Sequence, residues 1–367
     1  MANNTILTPD IIAREALMVL RNNAVMARLV HRDYSGEFVS GVGDTITIRR
    51  PAKFTANEFA GSSINVQDVA EGGVPVHMDK HLDVSFAVTS KEMSMDIADF
   101  SAQLLVPAMQ AFADKVDSYL LALQAEITNR VDGTSVVRDD IVDARRHLTR
   151  CAAPLADRRF VYGADMEAQL LRDTAFLAAD KVGDDGTALR DASLGRKFGM
   201  DFYVDQNIGT VDTGSTVSVT ALKLNGAAAD TDTIGLDATS VTGVLKKGTW
   251  LTIGGAHYRV MNDVTAASNA FAGVKLDRAL TAADNTDVTV TAKYTPAIAF
   301  HKNAFALVTR PLAQPMGAAK SAIVSYDGFG LRVVYDYDIQ TKTDTVSIDM
   351  VCGVATLDRD LAAVIDG

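Results

Sequence analysis

Two histidines, three aspartates and one cysteine are the residues of this 367-residue chain whose types and spacing invite a chemical reading. His77 and His81 stand four apart, which on a helix presents two imidazoles to one metal. The local pattern is extended instead: Val74, Val76 and Met78, then Leu82, Val84, Phe86 and Val88, recur at period two. Four residues of strand cover roughly 13 Å, so the two rings cannot share a zinc that each must approach to about 2 Å. Asp336, Asp338 and Asp344 resemble fragments of a calcium loop. The sixth place counted from Asp336 is Thr341, where an EF-hand requires Gly, and solvated carboxylates at a strand end are the simpler reading. Cys151 follows the basic turn Arg145-Arg146-His147, a setting that lowers a thiol's pKa when the thiol is exposed. Otherwise Cys151 and Cys352 read as two buried reduced thiols. There is no G-x-S-x-G elbow, no Walker A run and no G-x-G-x-x-G after a strand. No catalytic, metal or cofactor constellation is expected, and the weight moves toward a structural role.

A second group of residues is defined by charge. Arg49, Arg50 and Lys53 lie at the start of a polar stretch that later carries Glu58, Asp68 and Glu71. Two readings stand side by side. The charges are solvated, or they are complementary between neighbouring copies of the chain and set register and partner choice.

The elements that position these residues follow from the pattern. Thr8-Pro9-Asp10 caps an N-terminal helix bearing Ile11, Ile12, Ala16, Val19 and Leu20, with nothing beside it in sequence to cover its apolar face. Gly43 to Pro51 alternates as a strand, and the run from Val74 to Val88 reads as its partner. The roughly twenty polar residues between them suit a hairpin arm completed by a neighbouring subunit better than a compact tip. Ile97, Phe100, Leu104, Ala108, Phe112, Val116, Tyr119, Leu123 and Ile127 form one apolar stripe on a helix on the order of 50 Å long, with Pro107 inside it as a kink. Residues 136–208 read α-β-α-β, with helices at Asp140–Leu148 and Asp165–Phe176 and strands at Arg159–Tyr162 and Met200–Val204.

From about Gly209 to Thr295 the composition changes to Thr, Asp, Gly and Ala. Strands are expected at Val217–Leu224, Thr249–Ile253, Tyr258–Met261 and Val288–Tyr294, with turns at Asn225-Gly226 and Gly254-Gly255. This is a β-module inserted in a larger fold and expected to fold by itself. Its eight Asp against seven Lys and Arg suit contact work. Strands at Ile298–Phe300, Ala306–Val308, Leu331–Tyr335, Thr345–Met350 and Val351–Ala355 resume the body.

The chain is 48% hydrophobic and 22% charged, ordinary for a globular protein. Its formal charge of -11 argues against a tight nucleic-acid reader, though not against a wall around nucleic acid. No signal peptide and no membrane-spanning run is visible.

In this order the parts resemble the major capsid (coat) proteins of tailed bacteriophages with the Hong Kong 97 fold, in the short-tailed-phage branch that carries an inserted β-barrel. Ile11–Leu17 with Gly43–Ile48, Ala299–Leu307, Gly330–Val333 with Tyr337–Ile339, and Asp349–Ala355 carry the likeness. The resemblance implies an α+β capsid fold: an N-terminal arm (1–35), an E-loop hairpin (36–93), a P-domain with a long spine helix (94–131 and 330–367), an A-domain (132–208 and 296–329) and the inserted β-barrel (209–295). It implies hexamers and pentamers of this chain in a shell around double-stranded DNA, reached through a procapsid that expands on maturation. A scaffolding protein, a portal protein and, where one is present, a decoration protein are the implied partners, with DNA touched weakly, no membrane, and assembly in the host cytoplasm. No scaffold segment fused ahead of the arm and no covalent crosslink is expected. A bacterial nanocompartment shell of the same fold, or an enzyme with a β-accessory domain, are the alternatives.

Overall fold

The computed structural model describes residues 9–32, 45–49, 56, 73–89, 104–133, 137–177, 192–212, 218–291, 293–315, 320–326, 329–340 and 343–366. The chain divides into two units, residues 1–120 with 305–357 and residues 121–304 with 358–367.

The first unit is built on an antiparallel sheet whose central strand, Thr343–Thr356, is fourteen residues long. It pairs with Phe305–Arg310, Phe329–Asp338 and Lys80–Thr89, and Lys320–Tyr326 adds to Phe329–Asp338. The N-terminal helix Pro9–Asn23 lies on Lys320–Tyr326 and Phe329–Asp338. Its residues Ile12, Ala13, Ala16, Leu17 and Leu20 are buried, so strands three hundred residues downstream supply the cover its sequence neighbours lack. The short helix Met26–Leu29 is started by a side chain from elsewhere: Asp117, buried on helix Val106–Ala122, accepts hydrogen bonds from the Val25 and Ala27 amides at 2.7 and 2.9 Å.

The expected hairpin is shorter than its pattern. Thr45–Arg49 pairs with Gly73–His77 alone, and at Met78-Asp79 the chain leaves the ribbon to become the sheet strand Lys80–Thr89. Period-two alternation is identical on both sides of the break, so the pattern does not register the change of partner. The root of the ribbon is anchored by Ile48 and Val76, buried against Ala306, Val308 and Leu357. A side chain at Gly353 would collide with the His77 carbonyl, so this glycine lets the ribbon pass the central strand.

Regular α-helix in the long helical region begins at Val106, directly after a π-turn at residues 104–105, and gives way to a 3-10 turn at Leu123–Glu126. Pro107 is the second residue of the described α-helix, directly after the π-turn. The expected helix start at Ser94 or Asp96 lies outside the described residues.

The second unit carries a six-stranded mixed sheet in the order Arg130–Asp132, Ala362–Asp366, Pro296–His301, Arg158–Tyr162, Met200–Val204, Arg196–Lys197. Helix Val137–Arg150 covers it through Ile141, Ala144 and Leu148, and Phe160, Tyr162 and Phe202 interlock at 5.1–6.0 Å between ring centres. The expected helix from Asp165 to Phe176 is two, Ala164–Leu170 and Thr174–Leu177, because the Asp173 carboxylate accepts from the Ala175 amide and starts the second. Residues 305–329 group with the first unit, and the C-terminal strand Ala362–Asp366, buried throughout, belongs to the second.

The inserted module leaves and re-enters through a two-stranded neck, Val211–Asp212 with Lys293–Tyr294. Its longest element is a bulged ribbon of Ala228–Asp237 with Ala270–Ala282, which the sequence reading had not marked as strand. A second sheet joins Ala256–Arg259, Trp250–Ile253 and Val288–Thr291. Single bridges at Lys223–Asp287 and Val260–Leu276 connect these small sheets. The apolar interior, including Leu236, Leu251, Ile253, Phe271, Val274 and Leu276, is drawn wholly from the segment. Asn225-Gly226 and Gly254-Gly255 are turns, with positive φ at all three glycines.

Candidate functional site

Of the charged residues expected on the arm, Arg49 ends strand Thr45–Arg49 opposite Gly73. Arg50, Lys53, Glu58, Asp68 and Glu71 lie outside the described residues. The ribbon root alternates in exposure, with Thr45, Thr47, Pro75 and His77 exposed beside the buried Ile48 and Val76. His77 Nδ1 meets the Thr45 hydroxyl at 2.7 Å across the ribbon, and His81 belongs to the separate strand paired with Val351.

The other chemically suggestive residues have structural employment. Asp336 accepts from the Tyr337 amide and Asp338 from the Gln340 amide, so both shape the hairpin end. Among the described residues no group of three His, Cys, Asp or Glu is placed to hold a metal. The Cys151 thiol is not activated by its basic neighbours: burial first, and then the Asp360 carboxylate, push its pKa above the ordinary value. Burial pushes Cys352 up to about 12, and both cysteines are free.

The most elaborate polar site is one the sequence did not announce. At the root of the inserted module Arg259 is fully buried, and burial lowers its pKa. Its guanidinium donates to the Ile127 carbonyl at 3.0 Å, to Gln124 Oε1 at 2.8 Å and to the Tyr294 hydroxyl at 2.8 Å. It also lies 4.3 Å from the ring centre of Trp250, the chain's single tryptophan. Gln124 and Ile127 precede the module in sequence, at and just beyond the 3-10 turn that ends the long helix. Gly248, at φ +93°, lies so close that an added Cβ would fall 2.9 Å from the Ala125 side chain. Lys247 pairs with Glu126 at 2.7 Å. The module thus owns its apolar interior but shares its root with the chain outside it. A single arginine at a strand end gives no periodic signal, so only the three-dimensional arrangement reveals this.

A cleft of about 430 Å³ is lined by Gly163, Asp165, Met166, Gln169, Arg172 and Pro296 among others. No helix of the described residues is long and apolar enough to cross a membrane.

No family model matches the sequence, and no curated protein is similar to it. Solved structures are. A structure from Mycobacterium phage Che8 aligns over 93% of this chain and 90% of its own, at 16% identity and a TM-score of 0.56. The mature capsid of bacteriophage PhiM1 aligns over 89% of this chain and 82% of its own, at 11% identity and a TM-score of 0.48. The capsid of an empty GTA particle covers 100% of this chain and 93% of its own, at 10% identity and 0.48. The chain has the Hong Kong 97-type capsid fold. In this capsid fold the long helix and the five-stranded sheet lie in one unit and the six-stranded sheet with its module in the other. The root cluster around Arg259 joins the module to the chain that precedes it.

Proposed function

We propose that the protein is the repeating subunit of a phage head shell enclosing double-stranded DNA. Copies assemble as hexamers and pentamers, with a scaffolding protein, into a procapsid that expands on maturation. A portal protein occupies one vertex, and the DNA is touched only weakly by a chain of charge -11. The long helix Val106–Ala122 serves as the spine of the peripheral domain, the six-stranded sheet as the axial domain, and the ribbon Thr45–Arg49/Gly73–His77 as the root of the E-loop. Likeness to a phage structure over nine-tenths of the chain carries this reading. The ribbon supports it: Ile48 and Val76 anchor it, while Thr45, Thr47, Pro75 and His77 face out, as befits an arm that finds its partner on a neighbouring copy.

Negative-stain microscopy of the purified protein, alone and with its scaffolding protein, tests the proposal. Closed shells or capsomer rings are expected. A monomer that persists at every concentration and ionic strength overturns the reading, and shells that co-purify a protein cargo in place of DNA point to a nanocompartment.

A further inference from the structure

Next to Arg259, a second cluster joins the module to the six-stranded sheet. Asp366 and Asp132 sit opposite one another on the parallel strands Ala362–Asp366 and Arg130–Asp132. Arg130 Nη2 lies between them, 2.6 Å from Asp366 Oδ2 and 2.9 Å from Asp132 Oδ1. Asp366 is 8% exposed, and neither of its oxygens has a well-formed hydrogen bond, so Arg130 holds it by charge more than by geometry. The Arg130 guanidinium also lies 5.4 Å from the ring centre of Trp250 on the module.

His257 completes the cluster from the module side. Its Nε2 is 2.9 Å from Asp132 Oδ2, and its Nδ1 is 3.3 Å from Arg130 Nη1 and 3.0 Å from the Thr252 hydroxyl. A carboxylate only accepts and a guanidinium only donates, so the arrangement fixes the tautomer: Nε2 carries the hydrogen and Nδ1 the lone pair.

We propose that Arg130, Asp132, His257 and Asp366 form a proton-operated latch between the inserted module and the sheet. When Asp366 takes up a proton, Arg130 loses the charge that holds it there and leaves the Trp250 face, while the pair of His257 with Asp132 and the Arg259 network keep the module on the sheet.

The charged and titratable groups facing Asp366 set where this happens. They are Arg130 and Asp132 on the parallel neighbour, Arg259 on strand Ala256–Arg259 and Tyr294 at the neck; the other neighbour contributes Pro296. Burial pushes the Asp366 carboxyl up to about 6, with Arg130 opposing and Asp132 adding to the rise. A carboxyl raised in the folded state contributes stability that is present below its unfolded value of 3.8 and is lost as pH rises through about 6. Acidification therefore relieves a buried charge while it exchanges partners, and the fold is kept.

Trp250 is the only tryptophan, so its emission reports the latch directly. In the full-length protein, with light scattering and far-ultraviolet circular dichroism constant, emission is expected to shift in one step between pH 7 and 5. Asp366→Asn removes the step. Flat emission in the unmutated protein over this range overturns the proposal, as does a step that survives unchanged in Asp366→Asn. If that variant fails to fold, Arg130→Lys decides. It keeps the charge but not the flat group over the indole, so the step should vanish, and its persistence overturns the latch.

Discussion

Arg259 shows what a single side chain can hold together. It donates to an amide oxygen, a phenol and a main-chain carbonyl, all inside a buried junction and against an indole face. Replacement by Ala removes the donor of the Ile127 carbonyl and one donor each from Gln124, which keeps the Tyr294 hydroxyl, and from Tyr294, which costs about 3 kcal/mol. Urea unfolding of Arg259→Ala, followed by circular dichroism, should show that loss, and a change below about 1 kcal/mol would mean the network is not what secures the root. None of this was legible in the sequence, because Gln124, Ile127, Arg259 and Tyr294 are joined only by folding. What was legible at this level was local chemistry: the glycines at 226, 254 and 255 declare their turns, since positive φ is a property of the residue itself. The basic neighbours of Cys151 misled for the complementary reason. Sequence proximity placed cations near the thiol, whereas folding supplied burial and the Asp360 carboxylate.

Elements were readable where one face meets one layer. The helix Val137–Arg150 and strands Arg158–Tyr162 and Met200–Val204 stand where periodicity places them. Two elements escaped for physical reasons. Ala228–Asp237 is broken by bulges, which destroy the alternation a strand is recognised by. Lys80–Thr89 kept its alternation but changed partner, which no pattern on one strand records. The change happens where Gly353 admits the His77 carbonyl, so Gly353→Ala should displace the ribbon root or strain the sheet by about 2 kcal/mol. A lowered melting temperature together with faster proteolysis between Arg49 and Gly73 is the expected outcome. An unchanged melting temperature would show that the corner has room to spare.

The whole chain was recognisable from the order of its parts, because a shell fold is a sequence of elements more than a site. Its charge makes a collective prediction. If copies close into the proposed shell, each carrying -11, they repel one another, and salt shortens the range of that repulsion to about 8 Å at physiological strength. Shell yield, followed by light scattering, should rise as ionic strength is raised from about 0.05 to 0.5 M; a steady fall would mean that attractive ion pairs, such as those expected on the arm, dominate the contacts. The position of two strands along the chain has a temporal consequence. Thr343–Thr356 is the spine of one sheet, and Ala362–Asp366 is wedged between two partners in the other. A ribosome adding roughly 5 to 20 residues per second needs about 20 to 70 s to reach Thr343. Until then neither sheet has its keystone, so a chain cut short upstream offers no finished surface to its neighbours. In the proposed shell, translation order thereby screens subunits for length before any of them can enter a growing wall.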